Sequence, residues 1–149
     1  LKGIYSKIQK RASEQLDIRL PHGNIWILAQ EKILIRILCN LIDNALKYST
    51  GDIMFYMWGE SEYCHIQISN PSDNSDEELK SIFDLFYTKD EARTKSSGIG
   101  LYATRKLVIQ ISGDIQVNYE AGIFTVSIKL PLNEKIGHSR KIKDIVTAF

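Results

Sequence analysis

Two asparagines four positions apart, Asn40 and Asn44, stand in the most strongly patterned stretch of the chain, ILIRILCNLIDNALKY from Ile33 to Tyr48. At that spacing both side chains lie on one face of a helix. Asn is a mediocre helix former whose amide wants hydrogen bonds, and an amide oxygen is a suitable ligand for a hard cation such as Mg²⁺. The plainer reading is a solvated polar edge. Lys47, one turn further on, is a cation near the same end, or simply a solvated helix terminus. A second group lies downstream, where Gly98 and Gly100 in SGIGL precede another helical pattern. Glycines at a helix start let backbone N–H groups approach a phosphate, and the helix dipole favours the anion. Between the two groups Tyr87 to Ser97 is polar and aperiodic, reading as a mobile loop that carries Lys89, Arg93 and Lys95. Such cations are able to reach phosphates.

Elements must hold these groups in place. Ile33, Ile37, Leu38, Leu41, Ile42 and Ala45 recur at three- and four-residue spacing, which draws the buried stripe of the first helix. It starts near Gln30, a weak cap, and Gly51 suits its far end. Before it, residues 1–16 have a helical pattern, DIRL (17–20) reads as a short strand and residues 25–29 as another. After it, residues 52–58 and 63–69 read as paired strands around a polar turn. Ser75 with Asp76, Glu77 and Glu78 opens a short helix over 76–83. Residues 98–112 restore helical periodicity, ended by Gly113-Asp114, and 115–119 with 123–130 form a hairpin. Beyond Pro131 the composition turns basic, with one weak amphipathic turn. Strands grouped with helices on one face predict a two-layer α/β sandwich.

The whole chain narrows the function. With 19 basic and 18 acidic residues the net charge is +1, which argues against a nucleic-acid surface held by bulk charge. Cys39 and Cys64 have no metal-site spacing and read as small buried residues of a reducing, cytoplasmic compartment. No apolar run approaches membrane-spanning length, so no membrane contact is expected of this domain, although it suits the cytoplasmic part of a membrane-anchored sensor. A chain that opens at Leu1 reads as a domain excised from something longer. His22 falls in a turn, His65 in a strand and His138 in the terminal stretch.

NLIDNALKYS, residues 40–49, fills every position of the pattern N-x-x-x-N-A-x-K-Y-[ST], and so resembles the N-box of the GHKL ATP-binding domains, those of sensor histidine kinases in particular. SGIGL resembles the family's G2 box, with Ser96 in place of its first glycine and Leu101 closing it. IFDLFYTK, with Phe83 and Phe86, resembles the F-box at the hinge of the lid, and GIFTVSIKLPL is family-like too. The resemblance covers roughly residues 1–132. It implies the Bergerat fold, a mixed sheet packed on three helices with a flexible ATP lid. It implies ATP and Mg²⁺ as cofactors, with Asn44 on the metal, Asn40 shaping the pocket, Lys47 near phosphate and Tyr48 on the adenine or ribose side. Lys89, Gly98, Gly100 and Leu101 would lie by the phosphates.

The family's G1 box, D-x-G-x-G, is altered. Counting back from Phe83 sets Ser69 at its Asp, Pro71 at its first Gly and Asp73 at its second. Proline has no N–H and cannot reach positive φ. Adenine is then met by Asn70, as in kinases with I-x-N at this strand end, or by Asp73, and the residues leave both open. The expectation is therefore a protein-histidine kinase ATP-binding domain (1–132) followed by a tail or linker (133–149). It would pass the γ-phosphoryl of ATP to a histidine on a separate dimerisation domain, because no histidine of this chain sits in a phosphoacceptor setting. A response regulator is the further partner, and the isolated domain is expected to be a monomer. The rival is a nucleotide-blind relative kept for docking or regulation. An anti-sigma serine kinase shares the fold but usually keeps the G1 Asp.

Overall fold

The computed structural model describes residues 10, 15–88, 99–133 and 139–147. The expected N-terminal helix and the stretch holding Lys89, Arg93, Lys95, Ser96 and Gly98 fall almost wholly outside them. Strands β1 (Leu16–Arg19), β3 (Ile53–Glu60), β4 (Tyr63–Pro71), β5 (Asp114–Glu120) and β6 (Ile123–Pro131) build one mixed sheet in the order β1-β3-β4-β6-β5. Only β1 and β3 run parallel, and the other neighbours are antiparallel. This is the expected two-layer α/β sandwich.

Period-2 alternation gives the sheet its two faces. Phe55, Met57, Cys64, Ile66, Ile68, Val126 and Ile128 point into the core and are essentially closed to solvent. Their alternates form an outer face, where Trp58 is paired with His65 across β3 and β4 and their rings stack at 5.0 Å. His65 is thus turned to the sheet surface, as its alternation with Cys64 and Ile66 predicts.

Against the inner face pack helices α1 (Glu31–Tyr48), α2 (Asp76–Thr88) and α3 (Ile99–Gln110). Helix α1 buries Leu34, Ile37, Leu38, Leu41, Ile42 and Ala45, the predicted stripe shifted by one N-terminal position. Gln30 makes no side-chain cap. The far end differs from expectation: Ser49 is extended, and its hydroxyl bonds both the N–H and the carbonyl of Gly51. A serine that caps its own turn removes the need for a left-handed glycine. Helix α2 begins with the predicted capping box. Ser75 N donates to Glu78 Oε2 at 2.8 Å, and Glu78 N to Ser75 Oγ at 3.3 Å. At the end of α3, Gly113 is held by packing, since a Cβ there would meet Leu130, the Lys129 carbonyl and Val108 within 2.8 Å.

The stretch expected to be a tail or linker is partly docked. Ser139–Lys141 forms β7, antiparallel to β2 (Trp26–Leu28), and helix α4 (Ile142–Val146) follows. Ile142 and Val146 are buried, Ile142 N donates to the Ile25 carbonyl, and Lys143 Nζ to the Pro21 carbonyl. The basic composition hid three apolar residues at helical spacing, enough to cover β2 and the start of α1.

Candidate functional site

Helix α1 carries the first site residues on a stripe beside its buried one. Asn40, Asn44 and Tyr48 follow each other at four-residue steps and are each half-buried. Among the described residues the Asn44 side chain makes no hydrogen bond, so its amide oxygen is uncommitted. Lys47 is exposed and holds Asp43 at 3.0 Å in the favourable i,i+4 order. Its charge is shared with that carboxylate.

The start of α3 supplies the second group. Gly100 is exposed, and a Cβ there would meet nothing within 4 Å. Packing within the chain does not demand a glycine there. Thr104 is fully buried and its Oγ1 donates to the Gly100 carbonyl at 2.7 Å, which secures this first turn. Leu101 is 1% exposed and belongs to the core, so it steadies the turn through packing. Gly98 and Lys89 lie outside the described residues.

Helix α2 leads toward the lid stretch and is fixed on two sides. Arg105 Nη1 donates to the Phe86 carbonyl at 2.6 Å, with the guanidinium over the Phe86 ring. Phe83 packs against Phe124, their centroids 6.4 Å apart. Nothing in the sequence singled out Arg105 or Thr104. Their positions in a helical pattern gave no sign of these backbone partners.

The altered loop is the third group, and here the strand runs two residues further than its alternation suggests. Because β4 continues to Pro71, Asn70 is a strand residue. Ser69 faces outward, where its hydroxyl meets Thr125 Oγ1 at 3.1 Å across the sheet. Asn70 faces the helices and is 2% exposed, its Nδ2 donating to the Pro71 carbonyl at 3.2 Å. Asp73 is exposed. Thr50 N donates to the Pro71 carbonyl, which ties the end of α1 to the end of β4. Ser72, two residues beyond Asn70, is also buried, and its Oγ is the one enclosed side-chain polar atom without a partner among the described residues. Counting by two from Asn70 would have marked it as facing inward, though not as unpartnered.

No three His, Cys, Asp or Glu side chains gather as a metal cage among the described residues. An open amide oxygen on α1, a helix that packs against the glycine-led α3, suits a cation that keeps its waters and shares phosphate oxygens. The donor set fits Mg²⁺ with a triphosphate. A cleft along β5, lined by Gln67, Arg105, Asp114 and Gln116 among others, includes none of the predicted site residues.

Residues 29–134 match the family described as histidine kinase-, DNA gyrase B-, and HSP90-like ATPase. The sensor histidine kinase YcbM of Bacillus subtilis is 29% identical over 134 residues, 84% of this chain and 43% of its own length. The sensor protein SrrB of Staphylococcus aureus is 32% identical over 117 residues, 74% of this chain and 20% of its own. The chain thus spans less than half the length of these relatives. Among solved structures, the histidine kinase AdeS of Acinetobacter baumannii superposes with a TM-score of 0.65 at 18% identity, over 89% of this chain and 63% of that one. The mycobacterial sensor histidine kinase MprB gives 0.65 at 17%, over 89% and 94%.

Proposed function

This chain belongs to the histidine kinase-, DNA gyrase B-, and HSP90-like ATPase family, as an ATP-binding catalytic domain of the sensor histidine kinase kind, and from that premise we propose that it binds Mg·ATP and donates the γ-phosphoryl to a histidine of a separate dimerisation domain. The observation that carries the proposal is the uncommitted Asn44 amide on the half-buried stripe of α1. Phosphoryl transfer asks a protein to position and to neutralise charge more than to supply covalent chemistry, and the residues assigned to the site are positioning groups.

Asn44 would hold the metal through its amide oxygen, with Asn40 shaping the helix face beside it. When bound, Mg²⁺ neutralises the triphosphate and orients it for in-line transfer. The first turn of α3, opened by Gly100 and secured by Thr104, presents backbone N–H groups toward an anion. Asn70 lies at the strand end that the family uses for the base, on the helix side of the sheet. Asp73 is exposed and unanchored, which favours Asn70 of the two. Tyr48 follows on the Asn44 stripe and would close the base or ribose side. The acceptor histidine and the response regulator belong to other domains or chains, as the relatives' names as sensor kinases suggest. The relatives do not favour the reading as a nucleotide-blind docking module.

Replacing Asn44 by Asp tests the assignment. At nucleotide about 100-fold above Kd, wild type gains about 2.7 kcal/mol of stability, a rise of about 5–10 °C for a chain of this size. Asn44→Asp sets a negative charge against the phosphates and should erase that rise in a thermal melt with Mg²⁺ and ATP. Its nucleotide-free melting temperature should stay close to wild type. An undiminished rise in the variant would sink the assignment.

A further inference from the structure

The orphan hydroxyl of Ser72 points to how the base is read. Its backbone is pinned on both sides: Ser72 N donates to the Gly122 carbonyl at 2.9 Å, and Tyr119 Oη donates to the Ser72 carbonyl at 2.8 Å. The hydroxyl is therefore fixed in place but free to rotate. It is enclosed without a partner, a costly state that native proteins rarely keep unless a ligand or water satisfies the group. Asn70, two residues before it, lies buried on the helix side of β4. With one N–H of that amide spent on the Pro71 carbonyl, its Oδ1 and its second N–H remain available. Neither group carries charge, and the outward turn of Ser69 removes the residue that aligns with the family's carboxylate.

We propose that Asn70 and Ser72 together form a neutral base-reading pair, so that this domain accepts purine nucleoside triphosphates with either a 6-amino or a 6-oxo group. The inference rests on the Mg·nucleotide reading above and deepens it. A 6-aminopurine edge offers a donor beside an acceptor, and a 6-oxopurine edge offers the same two in reverse order. A carboxylate only accepts, and so rejects the 6-oxo group. The amide and the rotatable hydroxyl meet both edges: Oδ1 accepts from the 6-amino group while the hydroxyl donates to N1, or the free Nδ2–H donates to O6 while the hydroxyl accepts from N1–H. Asn70 and Ser72 are 2% and 5% exposed, so an incoming base must displace the side chains that cover them. At that depth an unmade hydrogen bond is felt strongly.

The experiment is a titration of the full 149-residue chain with Mg·ATP and with Mg·ITP, for wild type, Ser72→Ala and Asn70→Asp. Wild type should bind the two within about tenfold of each other, Ser72→Ala should weaken both about fivefold, and Asn70→Asp should penalise ITP against ATP by about tenfold or more. Since the hydroxyl has no partner to lose, Ser72→Ala should leave the nucleotide-free melting temperature unchanged or higher, whereas a structural role would lower it. ATP binding with ITP more than about tenfold weaker in wild type overturns the proposal, and so does a Ser72→Ala chain with both affinities intact. Failure of the folded wild-type chain to bind Mg·ATP at all overturns the nucleotide reading beneath it, and the proposal falls with it.

Discussion

Cys64 shows how far a single side chain of this sheet depends on being closed off. It has no exposed surface on β4, and burial pushes its thiol from 9.0 up to about 12. A thiol is neutral when protonated, so the fold favours the protonated form. The stability this contributes is complete below pH 9 and is lost as pH rises toward 12. The loss runs at about 1.4 kcal/mol per pH unit inside that window. Urea unfolding at about pH 8 and about pH 10.5 should show wild type losing about 2 kcal/mol more than Cys64→Ala over the interval, because the variant has nothing there to ionise. Equal losses would mean that the thiol reaches water. Cys39 is raised as well, first by burial and then by the neighbouring Asp43 carboxylate. Both thiols read as buried apolar residues from their places in a helical stripe and a strand, and both are. The shared face of Asn40 and Asn44 was legible too, since a four-residue repeat fixes it before any tertiary contact is known. The orphan Ser72 hydroxyl was not, because being unpartnered is a property of the finished fold.

At the scale of elements, alternation and helical spacing placed each strand and helix of the two-layer domain, and the misses sit at their ends. The β4 boundary mattered most. Pro71 looked like a terminator, yet a strand residue whose N–H is not needed tolerates proline. Two further residues of pairing with Phe124 and Ile123 decide which of Ser69 and Asn70 faces the helices. The hairpin opposite that end holds a strained position. Ala121 and Gly122 form the β5–β6 turn with φ of 50° and 78°, the two left-handed residues of a type I′ turn. Gly122 adopts this freely, whereas Ala121 is disfavoured there by about 1–2 kcal/mol. Ala121→Asn supplies the preferred Asn-Gly pair, so it should raise the melting temperature by about 2–4 °C. Because the Gly122 carbonyl receives the Ser72 N–H, the same change should leave nucleotide affinity untouched if the turn geometry is kept. A lowered melting temperature would show that the turn is not of this type.

The whole molecule is held by more than the family core. Residues 29–134 carry the family pattern, but the segment that returns to pair with β2 forms a separate two-stranded sheet, and its helix packs against α1. Composition concealed it, since Arg140, Lys141 and Lys143 surround the apolar residues that do the packing. Only the distant partner strand, far back in the sequence, gives those residues somewhere to go. Ile142 is fully buried, and Ile142→Ala removes three carbons from a filled interior, at a cost of about 2–4 kcal/mol. For a chain of this size that lowers the melting temperature by about 5–15 °C. Hydrogen exchange locates the effect: the β2 amides paired with β7 should lose protection first, while β4 and β6 at the sheet centre keep theirs. A linker lying loosely on the surface would leave both the melt and the β2 amides unchanged in Ile142→Ala. Because the segment is docked as β7 and α4, Ile142→Ala should loosen the Pro21 to Ala29 stretch ahead of α1 and reach the Asn40–Asn44 face only through that helix.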